Sequence, residues 1–218
     1  MGSCNTTQKE LGGKDLLLRT CVDKTVATTN LASDITLNNH GLVVGDIVKF
    51  AEVGANTVID TDTFYFVKSV TDANNFKIAT LPTGTAITMD ATEASLDVDA
   101  FLLLGGLRSK SLSFSSDAID ITSQESQEWK TMLDGSGIRS CSFSGSGVYT
   151  KQTAFASLRT AFLNNKLVCL MLQDTKNNEL IESCFKISSL EISGDYDAES
   201  QYSISGDSSG PVVFFQAV

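Results

Sequence analysis

The sequence predicts a mainly β chain: a β-sandwich or barrel with one packed α-helix, plus an inserted small all-β domain. Three observations carry this. Short runs rich in Val, Ile, Phe and Tyr recur between clusters of Gly, Asn, Asp and Thr, which is the punctuation of strands and turns. One segment, Thr153–Leu163, has helical periodicity. Residues 21–100 differ from the rest in composition and charge. With 218 residues and 42% hydrophobic content, the chain can bury one large core or two small ones.

Within 21–100 the strands read as Gly41–Phe50, Thr63–Val70 and Asn75–Thr80. Ala73-Asn74-Asn75 reads as a hairpin connection, and Gly54-Ala55-Asn56 and Pro82-Thr83-Gly84 as turns. Literal alternation places Val48, Phe50, Phe64, Phe66, Phe76 and Ile78 in the core of this module.

Residues 1–20 and 101–218 form the second, discontinuous unit. Its strand candidates are Lys14–Thr20, Phe101–Gly105, Lys110–Phe114, Ile138–Phe143, Leu167–Leu172, Leu180–Ile192, Tyr202–Ile204 and Val212–Phe215. Cys141 and Phe143 share one face of their strand, with Ser140 and Ser142 on the other. Leu167–Leu172 is apolar on both faces, as a buried central strand should be. In the helix, Phe155, Leu158 and Phe162 fall at i, i+3 and i+7, and Asn164-Asn165 supplies a left-handed stop. There is no tandem repeat and no low-complexity segment.

Charge excludes one class and divides the chain. Net charge is −10, against the clustered Lys and Arg that DNA binding by counterion release requires. Residues 21–100 hold 11 acidic and 4 basic side chains, a net of −7; the remainder holds 15 and 12, a net of −3. No run approaches the roughly 18 apolar residues of a membrane span. Met1-Gly2-Ser3-Cys4-Asn5-Thr6 matches the myristoylation pattern, but no polybasic stretch supports it, so no membrane anchoring is expected.

Constellations for chemistry are scarce. The five cysteines are odd in number, contain no Cys-x-x-Cys pair and have one histidine for company, so no zinc site is expected. His40, in Asn38-Asn39-His40-Gly41, reads as a turn residue rather than a general base. Asp195 and Asp197 alternate, as do Asp97 and Asp99; without a calcium-loop pattern they read as solvated carboxylates. No catalytic residue, metal site or cofactor is expected. Trp129, alone among Glu125, Glu128 and Lys130, reads as an interface anchor.

The ordered blocks of the second unit resemble a known family. Gly105-Gly106-Leu107-Arg108-Ser109, Leu112-Ser113-Phe114, Ile119-Asp120-Ile121-Thr122-Ser123 and Trp129-Lys130-Thr131-Met132-Leu133 come first. Ser142-Phe143-Ser144-Gly145-Ser146-Gly147-Val148-Tyr149, the helix, Leu190–Tyr196 and Tyr202–Gly206 follow. Together with Gly13–Leu18 they resemble the major tail tube proteins of long non-contractile phage tails. The resemblance implies a structural virion protein, six copies to a ring, with rings stacked into the tube that delivers double-stranded DNA. It implies a tape-measure protein inside, terminator and tip proteins at the ends, and assembly in the host cytoplasm. The family's ring-stacking loop would correspond to about 115–137, with Asp117, Asp120, Gln127, Trp129 and Lys130. Val213, Phe214 and Phe215 are candidate subunit contacts, with an ordinary core strand as the alternative. Residues 21–100 interrupt the family pattern, and an insertion that spares ring closure and lumen would face outward. Two other readings remain: a monomeric sugar- or host-surface-binding sandwich, and the tube of a contractile tail or related secretion system.

Overall fold

A computed structural model describes residues 15–29, 34–124, 129–149, 152–194, 196–197 and 199–216. Twelve strands and one helix follow one another: β1 Leu16–Thr29, β2 Ile35–Thr36, β3 Ile47–Phe50, β4 Phe64–Val70, β5 Asn75–Ala79, β6 Glu93–Leu103, β7 Leu107–Ser116, β8 Arg139–Val148, α1 Thr153–Leu163, β9 Leu167–Asp174, β10 Glu179–Ser193, β11 Gln201–Ser208 and β12 Val213–Gln216. None of the described helices is long and apolar enough to cross a membrane.

The strands pair in a single hydrogen-bonded network with two parts. In the first, β1, β2, β5, β4, β3 and β6 pair in turn and β6 returns to β1, closing a six-stranded barrel. In the second, β1 continues to β9, β10, β11, β8 and β7, all antiparallel, with β12 on β10. β1 and β6 run across the boundaries at 20/21 and 100/101, so barrel and sandwich share two continuous strands. β10 is long enough to serve both layers of the sandwich: Glu179–Lys186 pairs with β9, and Phe185–Ser193 pairs with β11.

The barrel closes over Ile35, Phe50, Tyr65, Phe76 and Ile78, all essentially inaccessible to water. This core is continuous with that of the sandwich, where Phe143 meets Phe185 edge-on and Phe155 of α1 packs between Tyr149 and Tyr202. Phe64 and Phe66 do not enter the barrel. They face the other way and pack with Phe101, Met171 and Leu180. β4 is apolar on both faces, so alternation alone does not say which side is inside. The helix spans the expected residues. It ends where Asn165 takes a positive φ and Lys166 N–H reaches back to the Ala161 carbonyl.

A buried charge fastens the two parts. Arg19 of β1, 3% exposed, donates through Nε to Gln173 of β9 and through Nη1 to Asp46 at 2.9 Å. It also donates to the carbonyls of Phe101 and Gly45. Asp46 completes its own set by accepting the Val43 N–H. Burial pulls the Arg19 pKa down, opposed by Asp46, and guanidinium remains charged at any physiological pH.

Candidate assembly surfaces

Between β7 and β8 the chain leaves the sandwich as an arm. The ladder of that hairpin continues outward through Asp117 N–H to Ile138 O, Leu133 N–H to Ile119 O and Ile121 N–H to Thr131 O. Gly137 is required at its root, because its φ is +102° and a Cβ there would stand 1.6 Å from the Asp117 carbonyl oxygen. Asp120 accepts the Thr122 N–H at 2.9 Å, and the Thr122 side chain and backbone, then Lys130, hold its carboxyl below the usual range. The Lys130–Asp120 pair, 3.8 Å apart and more than half exposed, adds little energy of its own.

The apolar side chains of this arm have no cover. Trp129 is 79% exposed and Ile138 75%, with Ile119, Ile121, Met132 and Leu133 exposed beside them. Single exposed apolar residues are ordinary, but a contiguous set on one projection marks an interaction site. Of the predicted loop residues, Asp117 sits at the root, Asp120 and Lys130 face one another across the arm, and Trp129 is at its outer part. Gln127 lies outside the described residues.

The C-terminal strand divides residue by residue. Phe215 packs its ring edge-on against Phe64 at 4.7 Å, so it belongs to the core. Val213 and Phe214 are exposed, and Phe214 stands 5.9 Å from Phe114 of β7. Phe114 lines an apolar cleft of about 260 Å³ together with Leu16, Leu18, Leu112, Phe143 and Ile181. Lys110 also lines it, its amine donating to the Leu16 carbonyl.

Besides that of the short β12, two strand edges are open. Among the described residues no strand pairs with the outer edge of β7, nor with the β9-side edge of β10 beyond Lys186. These edges flank the four-stranded sheet β7–β8–β11–β10, and an unpaired edge is a template for another chain.

The remaining sequence candidates resolve as structure. His40 is buried. Its Nδ1 accepts the Leu42 N–H, its Nε2 lies 3.1 Å from the Asp72 carbonyl, and its ring meets Phe76 edge-on. Cys21, Cys169 and Cys184 line a groove beside α1, and the Cys169 thiol donates to Glu182 at 3.0 Å. The hydrogen bond with Cys21, then burial, then Glu182 push that thiol far up, away from nucleophilic use. Asp97 and Asp99 lie on β6, and Asp195 is outside the described residues. The sequence reading missed the arm's aliphatic surface, although the Ile119-Asp120-Ile121 alternation was there to signal a projecting strand.

Comparison with known proteins agrees with this fold. Residues 84–214 match the family described as phage tail tube protein. Solved structures similar to the chain include two of one kind of particle. One is the tail of an empty gene transfer agent particle, refined helically with C6 symmetry: 29% identity, TM-score 0.50, covering 53% of this chain and 86% of that one. The other is the virion of the native gene transfer agent particle, with the same identity and TM-score, covering 53% and 88%. No curated protein matches.

Proposed function

The chain belongs to the phage tail tube protein family, and we propose that six copies close into a ring through the open edges of β7 and β10, the rings stacking into a tube that carries double-stranded DNA. The observation that bears most weight is the pair of unpaired edges on opposite sides of one sheet. Two different edges make a heterologous contact, which generates a closed ring when the rotation closes. The C6 symmetry of the similar gene transfer agent tail favours six.

Stacking is assigned to the arm, with Trp129 as its anchor and Asp117, Asp120, Gln127 and Lys130 as further candidate contacts. An indole buries on the order of 200 Å² and ranks among the side chains that dominate interface energies. Val213 and Phe214, both exposed and the latter beside Phe114, are taken as further subunit contacts, while Phe215 serves the core. The barrel is placed on the outside of the tube, away from the lumen. A tape-measure protein inside the tube, terminator and tip proteins at its ends, and assembly in the host cytoplasm before incorporation into the virion complete the reading.

Electron microscopy of the purified protein, alone and with a tape-measure partner, tests it. Six-fold rings or tubes are expected. A subunit that stays monomeric by sedimentation at high concentration, with and without that partner, overturns it.

A further inference from the structure

The sheet flanked by the two open edges has an unusual outer face. Along β7 the outward positions are Ser109, Ser111, Ser113 and Ser115, and along β8 they are Ser140, Ser142, Ser144 and Ser146. The register aligns them across strands. Ser111 stands opposite Ser144, Ser144 opposite Ser205 of β11, and Ser205 opposite Ser189 of β10, four hydroxyls in one rung. The next rung is Ser109, Ser146 and Ser203, ending on Glu191. Solvent-facing strands ordinarily carry β-branched or long charged side chains. Here the ionisable groups in these rows are Glu191 and, at the other margin, Lys186 opposite Asp207.

The face is also hollow, with a shallow depression of about 270 Å³ over Ser109, Ser144, Ser146, Ser189, Ser203 and Ser205. Two pairs of its hydroxyls bond one another, Ser115 with Ser140 at 2.6 Å and Ser188 with Ser205 at 3.2 Å.

Resting on the tube reading, we infer that this serine face is the lumen wall, and that the transiting duplex meets chiefly hydrated hydroxyls, with Glu191 at one margin and Lys186 opposite Asp207 at the other. Pairing the edges of β7 and β10 from copy to copy makes the face continuous around the ring. With six copies, as in the similar tail, four strands each at about 4.8 Å spacing enclose a channel roughly 37 Å wide at the backbone. An uncompensated lysine or arginine on that wall would bind phosphate and release counterions, and each such contact would hold the DNA in place; Lys186 stands opposite Asp207 and donates to the Asn165 carbonyl. Serine hydroxyls contact phosphate without that electrostatic grip. The acidity lies elsewhere, with −7 of the −10 in residues 21–100, so the wall does not depend on strong repulsion either.

The experiment adds one cysteine, Ser144→Cys, in a Cys4→Ser, Cys184→Ser background, forms tubes and reads labelling of that residue by peptide mass mapping, apart from the remaining Cys21, Cys141 and Cys169. Labelling is compared for a small maleimide and for one attached to a polymer wider than the channel. Free subunits should react with both. In tubes the small reagent should still react, while the polymer reagent slows by about tenfold or more, since thiol labelling follows access. Equal polymer labelling in tubes and subunits would place the face outside, and protection from both reagents would make it a subunit contact; either overturns the inference. Failure of the parent protein to form tubes would instead sink the tube reading. In a second arm, tubes of Ser111→Lys, Ser144→Lys, Ser205→Lys should retain short duplex DNA at low salt and release it as salt rises, and unmodified tubes should retain none. Salt-sensitive retention by the unmodified tubes would refute a neutral wall.

Discussion

Replacing Arg19 by Met should be among the most damaging single changes to the subunit. The methionine fills much of the space of the arginine stem, so the packing loss is small. What is lost is the cation. Asp46, 3% exposed, then keeps a buried carboxylate without its partner, and Gln173 and the carbonyls of Phe101 and Gly45 lose their donor. Removing one member of a buried pair costs about 3–5 kcal/mol. At a urea slope of about 2 kcal/mol/M the midpoint would fall by roughly 1.5–2.5 M. Asp46→Leu should cost a similar amount, because it strands the guanidinium. The double variant should cost less than the sum of the two by about 1–3 kcal/mol, the coupling expected of residues in contact. Urea unfolding of all four proteins followed by circular dichroism measures the cycle. A loss below about 1 kcal/mol for Arg19→Met, with strictly additive effects, would mean that water reaches the site and that the network does not fasten barrel to sandwich.

Other perturbations separate folding from assembly. Trp129→Ala should leave the urea midpoint unchanged and abolish stacking, and in the parent the emission of this single tryptophan should shift to the blue as tubes form. Phe215→Ala should destabilise the subunit by about 2–4 kcal/mol because its ring fills the contact with Phe64, whereas Phe214→Ala should spare stability and weaken assembly. Gly147→Ala should unfold or severely destabilise the protein, since its Cβ would stand 2.0 Å from the Gly106 carbonyl oxygen. The turn around Asp120 should hold at neutral and mildly acidic pH. The depressed carboxyl stabilises it above the ordinary carboxylate value of about 4, and that support is lost as pH falls through the lower folded value. Amide resonances of Thr122 and Thr131 should report the loss, and Asp120→Asn should remove the dependence.

The helix was legible because periodicity and stop signal coincide in Thr153–Asn165. The long strands were not. Past Thr20, β1 runs through Thr-, Lys- and Asp-containing sequence without apolar alternation, and register shifts near Ala27 disturb what pattern remains. What holds it extended is pairing to β6 and β2, partners distant in sequence or known only from the fold. Phe64 and Phe66 were read into the barrel because a strand covered on both faces gives no sign of which is inner. The exposed arm was partly legible. Trp129 stood out by its type, whereas the aliphatics around it announce an interface only once they are seen to lack cover. The serine face needed register above all, since Ser-x-Ser runs at 109–115 and 140–146 become one surface only when Ser111 is known to oppose Ser144.

Closure of the barrel has a consequence for the particle as a colloid. A strand module hung on the outside of a filament would ordinarily offer raw edges, and filaments meeting side by side would zip together. In this one every strand has a partner on both flanks within the ring of six, so no strand offers a whole raw edge. If the module faces outward as proposed, its net charge of −7 would make it a spacer that keeps neighbouring tubes apart until high salt or low pH removes the repulsion.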